Sequence, residues 1–427
     1  MTVLAAAPVT SCRDVPWSRA RELAHAAPTP LPARQVALTR AAGLTLAEDL
    51  CARQPLPAFD TAAMDGYAVA GPGPWLLSAG AVRAGATEVP AGLADGEAVE
   101  ISTGAQVPCG AEAVLPLERA VRAGATVRGP EPAPGKHLRR VGEDASAGAC
   151  LAPAGTRVGP ALLGLAAACG HDMLPVRPRA RVRILVTGDE LISSGQPAPG
   201  QVRDALGPLL PPLVHTLGGE VTDVRPVPDH PVGSLATVVL TTSYDTEVIV
   251  VTGSTSVGAT DQLRRLLAEH GARWVVDAVA VRPGHPQLLA QLPDRRWIVG
   301  LPGNPYAALT AAHTLLAPLL AGLTGRPLPA LPRIPLTGDI TAAPGRTRLI
   351  PVTWDGATAL PVGGHRPAFL HGAALADALA AVPPDWQPHT PVPLILLPDG
   401  TECVSRTLRS SPPPMPTDVP RPGCCTR

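Results

Sequence analysis

Apolar residues change their spacing from one stretch of the chain to the next, and each change predicts a different kind of element. From Pro16 to Ala27, Trp17, Ala20 and Leu23 recur at helical spacing. Leu38 to Leu50 carries a second apolar face, so the first 50 residues are read as helix. From Pro55 to Pro130 the runs YAVAG, WLLSAG, AVEIST and EAVLPLE are separated by Gly and Pro at close intervals, which predicts a small β-rich unit. AVRAGAT occurs twice there, at 81–87 and 120–126, a coincidence in an Ala-rich chain rather than a repeat architecture. From Ala180 to Gly325 strand and helix patterns alternate. RVRILVT, TEVIVVTG and RRWIVGL predict strands. DQLRRLLAEH predicts a helix capped by Thr260 or Asp261 and closed at Gly271, and Tyr306 to Leu323 predicts another. Such units imply a mostly parallel sheet with helices on both faces. Pro208, Pro211 and Pro212 fall where a crossover helix should start, which predicts a short or late one. Beyond Pro327 the runs TRLIPVTW and PVPLILLP predict a terminal β-domain, and SSPPPMPTDVPRPGCCTR reads as a disordered tail.

Composition narrows the function classes. The 427 residues suit about three domains. Lys+Arg 35 against Asp+Glu 35 leaves formal net charge +0, which argues against a general nucleic-acid binder or a membrane-surface protein. Lys136 is the only lysine, so 35 − 1 = 34 basic residues are arginine, the mark of a coding bias. Aromatics at 3% require an aliphatic core. Eight cysteines without CxxC spacing argue against a zinc site or a secreted disulfide framework, and reduced thiols in the cytoplasm are expected. The N-terminus lacks the pattern of a signal peptide. Residues 297–325 are uncharged, but Pro302, Asn304, Pro305, His313 and Pro318 favour a buried strand–loop–helix over a membrane span.

In a doubly wound sheet, ligands lie beyond the carboxyl ends of the strands. Three segments occupy such places: Thr187-Gly188-Asp189-Glu190-Leu191, the loop from Thr252 through Gly253, Ser254, Ser256 and Gly258, and Gly300-Leu301-Pro302-Gly303-Asn304-Pro305. The Gly-rich loops, each followed by a helix, are candidate anion cradles. The turn Arg282-Pro283-Gly284-His285-Pro286 adds cationic side chains. With the carboxylates Glu190 and Asp261, the set predicts a phosphate-bearing ligand and a hard divalent cation. Taken singly, Asp65 is a turn former, Asp261 a helix cap, Asp229 a cap before His230-Pro231, and His285 and His313 structural.

The order and spacing of these segments resemble the molybdopterin molybdotransferases of molybdenum-cofactor biosynthesis (MoeA and the E-domain of gephyrin). The matching elements are Pro57-Ala58-Phe59-Asp60-Thr61-Ala62-Ala63-Met64-Asp65-Gly66-Tyr67-Ala68, Ile101 through Ala111, Arg140 through Gly148, TGDEL, GxxSVGxxD and LPGNP. The resemblance implies an α/β plus β multidomain fold around a doubly wound, MogA-like domain. It divides the chain into residues 1–52 with 138–178 (linker and dimerisation), 53–137 (small β-domain), 179–326 (α/β, molybdopterin-binding), 327–408 (terminal β-domain) and the tail 409–427. It also implies a homodimer and insertion of molybdate into adenylylated molybdopterin, releasing AMP, with Mg²⁺ at Glu190 and Asp261. Catalytic roles would fall to Asp65, Thr103, Asp144, Glu190, Asp229, Asp261 and Arg282. Substrate contacts would fall to Gly253, Ser254, Ser256, Gly258, Arg282, His285, Pro302, Gly303, Asn304 and Pro305.

The chain departs from the family pattern at clustered positions. The KPGKP turn is Arg282-Pro-Gly-His285-Pro, a lysine four residues earlier is Ala278, and the Ser after LPGNPV is Ala307. GGVSVG carries Ser254-Thr255, Asp-Ser-Asn is Asp204-Ala205-Leu206, and the terminal Ser-Gly segment near His365–Leu370 lacks its serine. The carboxylates and threonine are kept while the oxyanion positions are rewritten. A second reading therefore stands beside turnover: a paralogue that holds pterin or nucleotide as a scaffold or carrier.

Overall fold

The computed structural model describes residues 12–87, 92–241, 245–253, 255 and 262–397. The chain forms two compact units, Met1–Pro32 with Pro178–Arg427, and Ala33–Arg177.

In the first unit the parallel strands Gly219–Val227, Ala180–Thr187, Val248–Thr252 and Trp297–Leu301 lie side by side in that order. Leu288–Gln291 then runs antiparallel, so Arg273–Arg282 beyond it returns to the common direction. The sequence VIVVT is buried at every position because both faces are covered. Alternation sorts its side chains between two cores. Val182, Ile184, Val248, Val250 and Val299 pack with the helices Trp17–Ala26, Leu206–Thr216 and Pro305–Thr324. Leu185, Ile249, Val251 and Ile298 pack with Ser234–Leu240 and Gln262–Glu269 on the other face. Pro305–Thr324 is long and apolar enough to cross a membrane, yet it is a core helix, mostly buried. It widens into a π turn at Ala312–Leu316. The sheet continues through Arg282, which pairs with Arg348, into the antiparallel strands Thr347–Trp354, Ala378–Val382, Pro391–Leu396 and Arg333–Pro335. The core is aliphatic as expected, and both phenylalanines, Phe59 and Phe369, are exposed.

Two expectations fail here. The crossover helix is neither short nor late: it spans Leu206–Thr216 with Pro211 and Pro212 inside. Asp204 Oδ1 accepts the N–H groups of Leu206 (2.8 Å) and Gly207 (2.9 Å), which fixes the start of the helix. Leu206, Leu210 and Val214 bury one stripe, so packing outweighs the bonds lost at the prolines. Residues 38–50 are not a helix either. They form a 3₁₀ turn, Leu38–Arg40, and the short strands Thr45–Leu46 and Leu50–Cys51. Leu46 and Leu50 have helical spacing and are both buried, but the backbone bonds run to distant segments. Gly43 N–H donates to Val158 (2.8 Å), Leu46 N–H to Thr156 (2.9 Å) and Ala47 N–H to Pro175 (2.9 Å).

The second unit holds the β-rich region as a six-stranded sheet. Its order is Val121–Ala123, Thr126–Arg128, Trp75–Val82, Glu97–Ile101, Gly66–Val69 and Ala113–Pro116. A three-stranded sheet, Arg34–Ala37, Met173–Arg177 and Thr45–Leu46, packs with the helix Pro160–Ala168. At Gly66 a Cβ would lie 2.1 Å from the Leu115 carbonyl oxygen, so only glycine fits between two neighbouring strands. Gly164, inside the helix, has open space. Gly66→Ala should therefore destabilise by about 1–3 kcal/mol through overpacking. Gly164→Ala should stabilise by about 0.5–1 kcal/mol through helix propensity. Urea titrations of the two variants against the parent check both signs.

Candidate functional site

In the second unit three matched segments converge. Asp65 Oδ1 accepts the N–H of Thr103 (2.7 Å) and its hydroxyl (3.1 Å). These bonds from Thr103 hold the Asp65 carboxyl below its ordinary value. Asp60 accepts the Arg140 guanidinium (2.7 Å) and the Val141 N–H (2.8 Å), which ties the Arg140 loop to the Asp65 turn. Thr61–Ala62 pairs with Leu138–Arg139, and Ala62 and Ala105 are joined by the bond from Ala62 N–H (3.0 Å). Asp144 lies exposed on that loop, its N–H on the Leu56 carbonyl (2.9 Å). The site residues Asp65, Thr103 and Asp144 thus belong to one knitted rim.

In the first unit the remaining candidates lie at the carboxyl ends of the strands. Thr187 Oγ1 donates to the Thr252 carbonyl (2.7 Å), and Gly253 N–H donates to the Leu301 carbonyl (3.0 Å). A Cβ on Gly253, at φ +75°, would meet Thr187 Oγ1 at 2.7 Å, and one on Gly303 would lie 3.7 Å from Gly253 Cα. The three loops therefore meet at Gly253, where only glycine fits, while a side chain at 303 would make ordinary contact. Ser254, Ser256, Gly258 and Asp261 lie outside the described residues. Asp189 joins the first loop to residues 229–230: its Oδ1 accepts the Asp229 N–H (2.8 Å), and its Oδ2 lies 2.6 Å from His230 Nδ1. That bond holds Asp189 below its ordinary value and raises His230 above 6.5. Asp229 is raised, first by burial and then by repulsion from Asp189 and Glu190. Glu190 is exposed on this loop.

The LPGNP segment is not the open anion cradle its sequence suggests. Pro302 is buried, Gly303 and Asn304 are exposed, and Pro305 opens the helix. The next helical N–H groups, of Tyr306 (2.9 Å) and Ala307 (3.1 Å), both donate to the Pro367 carbonyl. His285 is likewise engaged, its Nδ1 donating to the Val279 carbonyl (2.8 Å) and its Nε2 lying 3.3 Å from Asp14. Arg282 is exposed and register-paired with Arg348, so the two side chains share a face. Arg348 donates to His365 Nε2 (2.5 Å) and to the Thr341 carbonyl (2.5 Å). Neither arginine has a carboxylate within ion-pair distance among the described residues. His365 is lowered by burial, then by Arg348 and Arg282. Sequence reasoning missed Arg348 and His365. The Pro367 contact that seats His365 beside the arginines joins segments more than sixty residues apart in a 427-residue chain, and no motif marks it.

Comparison with known proteins decides the family. Residues 15–170 match the MoeA N-terminal region (domain I and II), 183–322 a probable molybdopterin binding domain, and 333–388 the MoeA C-terminal region (domain IV). Molybdopterin molybdenumtransferase 2 of Mycobacterium tuberculosis is 35% identical over 384 residues, 82% of this chain and 91% of that protein. The chain belongs to the molybdopterin molybdenumtransferase family. The molybdopterin molybdenumtransferase of Synechococcus elongatus is 35% identical over 313 residues, 70% of this chain and 77% of that protein. A crystal structure of the MoeA protein of Pyrococcus horikosii superposes with TM-score 0.72 at 27% identity, covering 90% of this chain and 98% of that one.

Within this molybdenumtransferase fold a resident divalent cation can be tested against the donors. Glu190, Asp189 and Asp229 offer only carboxylate oxygens, and Asp229 is raised first by burial and then by its two acidic neighbours. No group of three or more His, Cys, Asp or Glu among the described residues is placed to hold a metal ion. A cation here would have to take only one or two carboxylates and complete its shell from substrate and water, as Mg²⁺ can. The histidines should also separate on titration. His230 should titrate above 6.5, His365 below it, and the fully buried His313 near about 4. Asp189→Asn should bring His230 back toward 6.5 and leave His365 in place. Ring-nitrogen NMR of parent and variant reads all three.

Proposed function

We propose that this chain inserts molybdate into adenylylated molybdopterin and releases AMP, acting as a homodimer with Mg²⁺. The arrangement of charge at the strand ends supports this reading best. Carboxylates stand at Asp189, Glu190 and Asp229, and two guanidiniums without carboxylate partners among the described residues stand at Arg282 and Arg348, all along one edge of one sheet. A ligand with a phosphoanhydride and a tetrahedral oxyanion requires both kinds of group. Glu190 would hold the cation together with Asp261, and bound there the cation would neutralise the anhydride oxygens as AMP leaves. Asp229, kept partly buried, is the carboxyl best suited to hold a proton near the leaving phosphate. Arg282 and Arg348 would receive molybdate, with the neutral His365 setting the position of the Arg348 guanidinium.

The scaffold reading draws its support from Ala278, the engaged His285 and Ala307, which supply no charge or hydroxyl to an oxyanion. Molybdate-dependent AMP release by the purified protein separates the two. Tight ligand binding without release makes the chain a carrier. Arg282→Ala and Arg348→Ala should each raise the molybdate requirement ten- to a hundredfold, since a charge-assisted contact contributes about 1.5–3 kcal/mol. Glu190→Gln should abolish the Mg²⁺-dependent rate while leaving the unfolding midpoint unchanged. Light scattering at micromolar concentration checks the dimer.

Protonation of His365 would remove the lone pair that accepts from Arg348, so molybdate affinity should weaken as pH falls. Because His365 is depressed, the change should lie below its ordinary 6.5 and the affinity should be flat above it. A molybdate titration between pH 5 and 8 checks the sign and the window (about 6.5 for an ordinary His).

A further inference from the structure

In the unit Ala33–Arg177 the chain leaves the three-stranded sheet, builds the six-stranded sheet and returns. The two crossings run side by side. Leu50–Cys51 leads out, Cys150–Ala152 leads back, and the strands pair antiparallel with Cys51 directly opposite Cys150. Ala52 N–H donates to the Ala149 carbonyl (2.9 Å), the bond that borders a non-hydrogen-bonded pair at the neighbouring position. Opposed residues in such a pair have Cα atoms about 4.5 Å apart and side chains on one face. Disulfides span Cα separations of about 4.4–6.8 Å. Both cysteines are exposed and both thiols are free. The Cys51 backbone is also anchored, because its carbonyl lies 2.8 Å from His171 Nε2. The spacing in sequence gives no hint of this pair, since 150 − 51 = 99 positions separate its members.

We propose that Cys51 and Cys150 form an exchange-competent dithiol that a low-molecular-weight disulfide such as glutathione disulfide converts into a cross-strand disulfide, a reversible covalent staple across this neck. One thiolate attacks a sulfur of the glutathione disulfide, forming a mixed disulfide and releasing one glutathione. The opposite thiolate then attacks the protein sulfur of that mixed disulfide, and the second glutathione leaves. The protein loses two protons and two electrons, and the glutathione disulfide gains them. The staple closes a long loop around the six-stranded sheet, so it should raise resistance to unfolding.

The full-length protein is incubated with glutathione disulfide, blocked with N-ethylmaleimide and digested with trypsin without reductant. Cleavage after arginine places Cys51 in residues 41–53 and Cys150 in residues 141–157, each with a single cysteine. The expected product is these two peptides joined, two hydrogens lighter than their sum, and separated again by dithiothreitol. The joined peptide should be missing from Cys51→Ser and Cys150→Ser, which remove only exposed thiols. The oxidised parent should also unfold at a higher temperature than the reduced parent, and either serine variant should lose that difference. Both cysteines carrying maleimide after oxidation, both carrying stable glutathione, or either joined to a different cysteine would each overturn the proposal.

Discussion

The site in the larger unit depends on one close approach. Gly253 leaves its strand at φ +75° against the Thr187 hydroxyl, which is itself held by the Thr252 carbonyl. Any side chain at 253 would push apart two parallel strands whose residues are buried on both faces. The Gly253 N–H reaches the Leu301 carbonyl, so the third strand end is fixed by the same contact. The strand ends are therefore positioned by this close backbone approach together with the Thr187 hydroxyl, and the Asp189 carboxylate ties the first loop to residues 229–230. That leaves Glu190 and Asp229 free for a ligand instead of being consumed by structure.

Charge is distributed along this sheet edge in a way that a single strand could not achieve. At the end formed by residues 187–191 and 229–230, Asp189 and Glu190 repel the part-buried Asp229, and Asp189 is bonded to His230. At the other end two arginines lie in register on adjacent strands, an arrangement that costs stability unless an anion joins it. The terminal β-strands supply the second arginine, and the Pro367 carbonyl anchors the segment that carries His365. That anchoring contact occupies the helix N–H groups that the LPGNP sequence offers to an anion. The C-terminal sheet thus takes one donor set away from the site and contributes a cation to it.

Much of this was legible in the sequence, for identifiable reasons. The parallel strands were visible because VIVVT and WIVGL are unbroken apolar runs that only a doubly covered strand accommodates. The loops were visible because glycine and proline are required wherever backbones approach this closely. The misreadings share a cause as well. At residues 38–50 leucine spacing mimics helical periodicity, while the N–H groups of Gly43, Leu46 and Ala47 bond segments more than a hundred residues away. At Pro211 and Pro212 local propensity was weighed without the buried stripe that overrides it. Arg348 and His365 were invisible because a sheet register, unlike a turn, leaves no local signature.

The substitutions at the oxyanion turn can be ordered by what surrounds them. Ala278 adopts φ +70° in a buried strand, its N–H on the Gln287 carbonyl, so its short side chain suits a tight bend beneath the turn. His285 closes the same bend by donating to Val279, one residue further along that strand. Two positions where the family carries lysine are here part of the internal bonding of the turn, and neither projects a permanent charge. Arg282 keeps its charge and gains Arg348 across the register. A guanidinium presents a flat, forked set of donors that can hold two oxygens of one anion, where an ammonium group would present a point charge. The permanent positive charge at this edge is carried by Arg282 and Arg348, in register on adjacent strands.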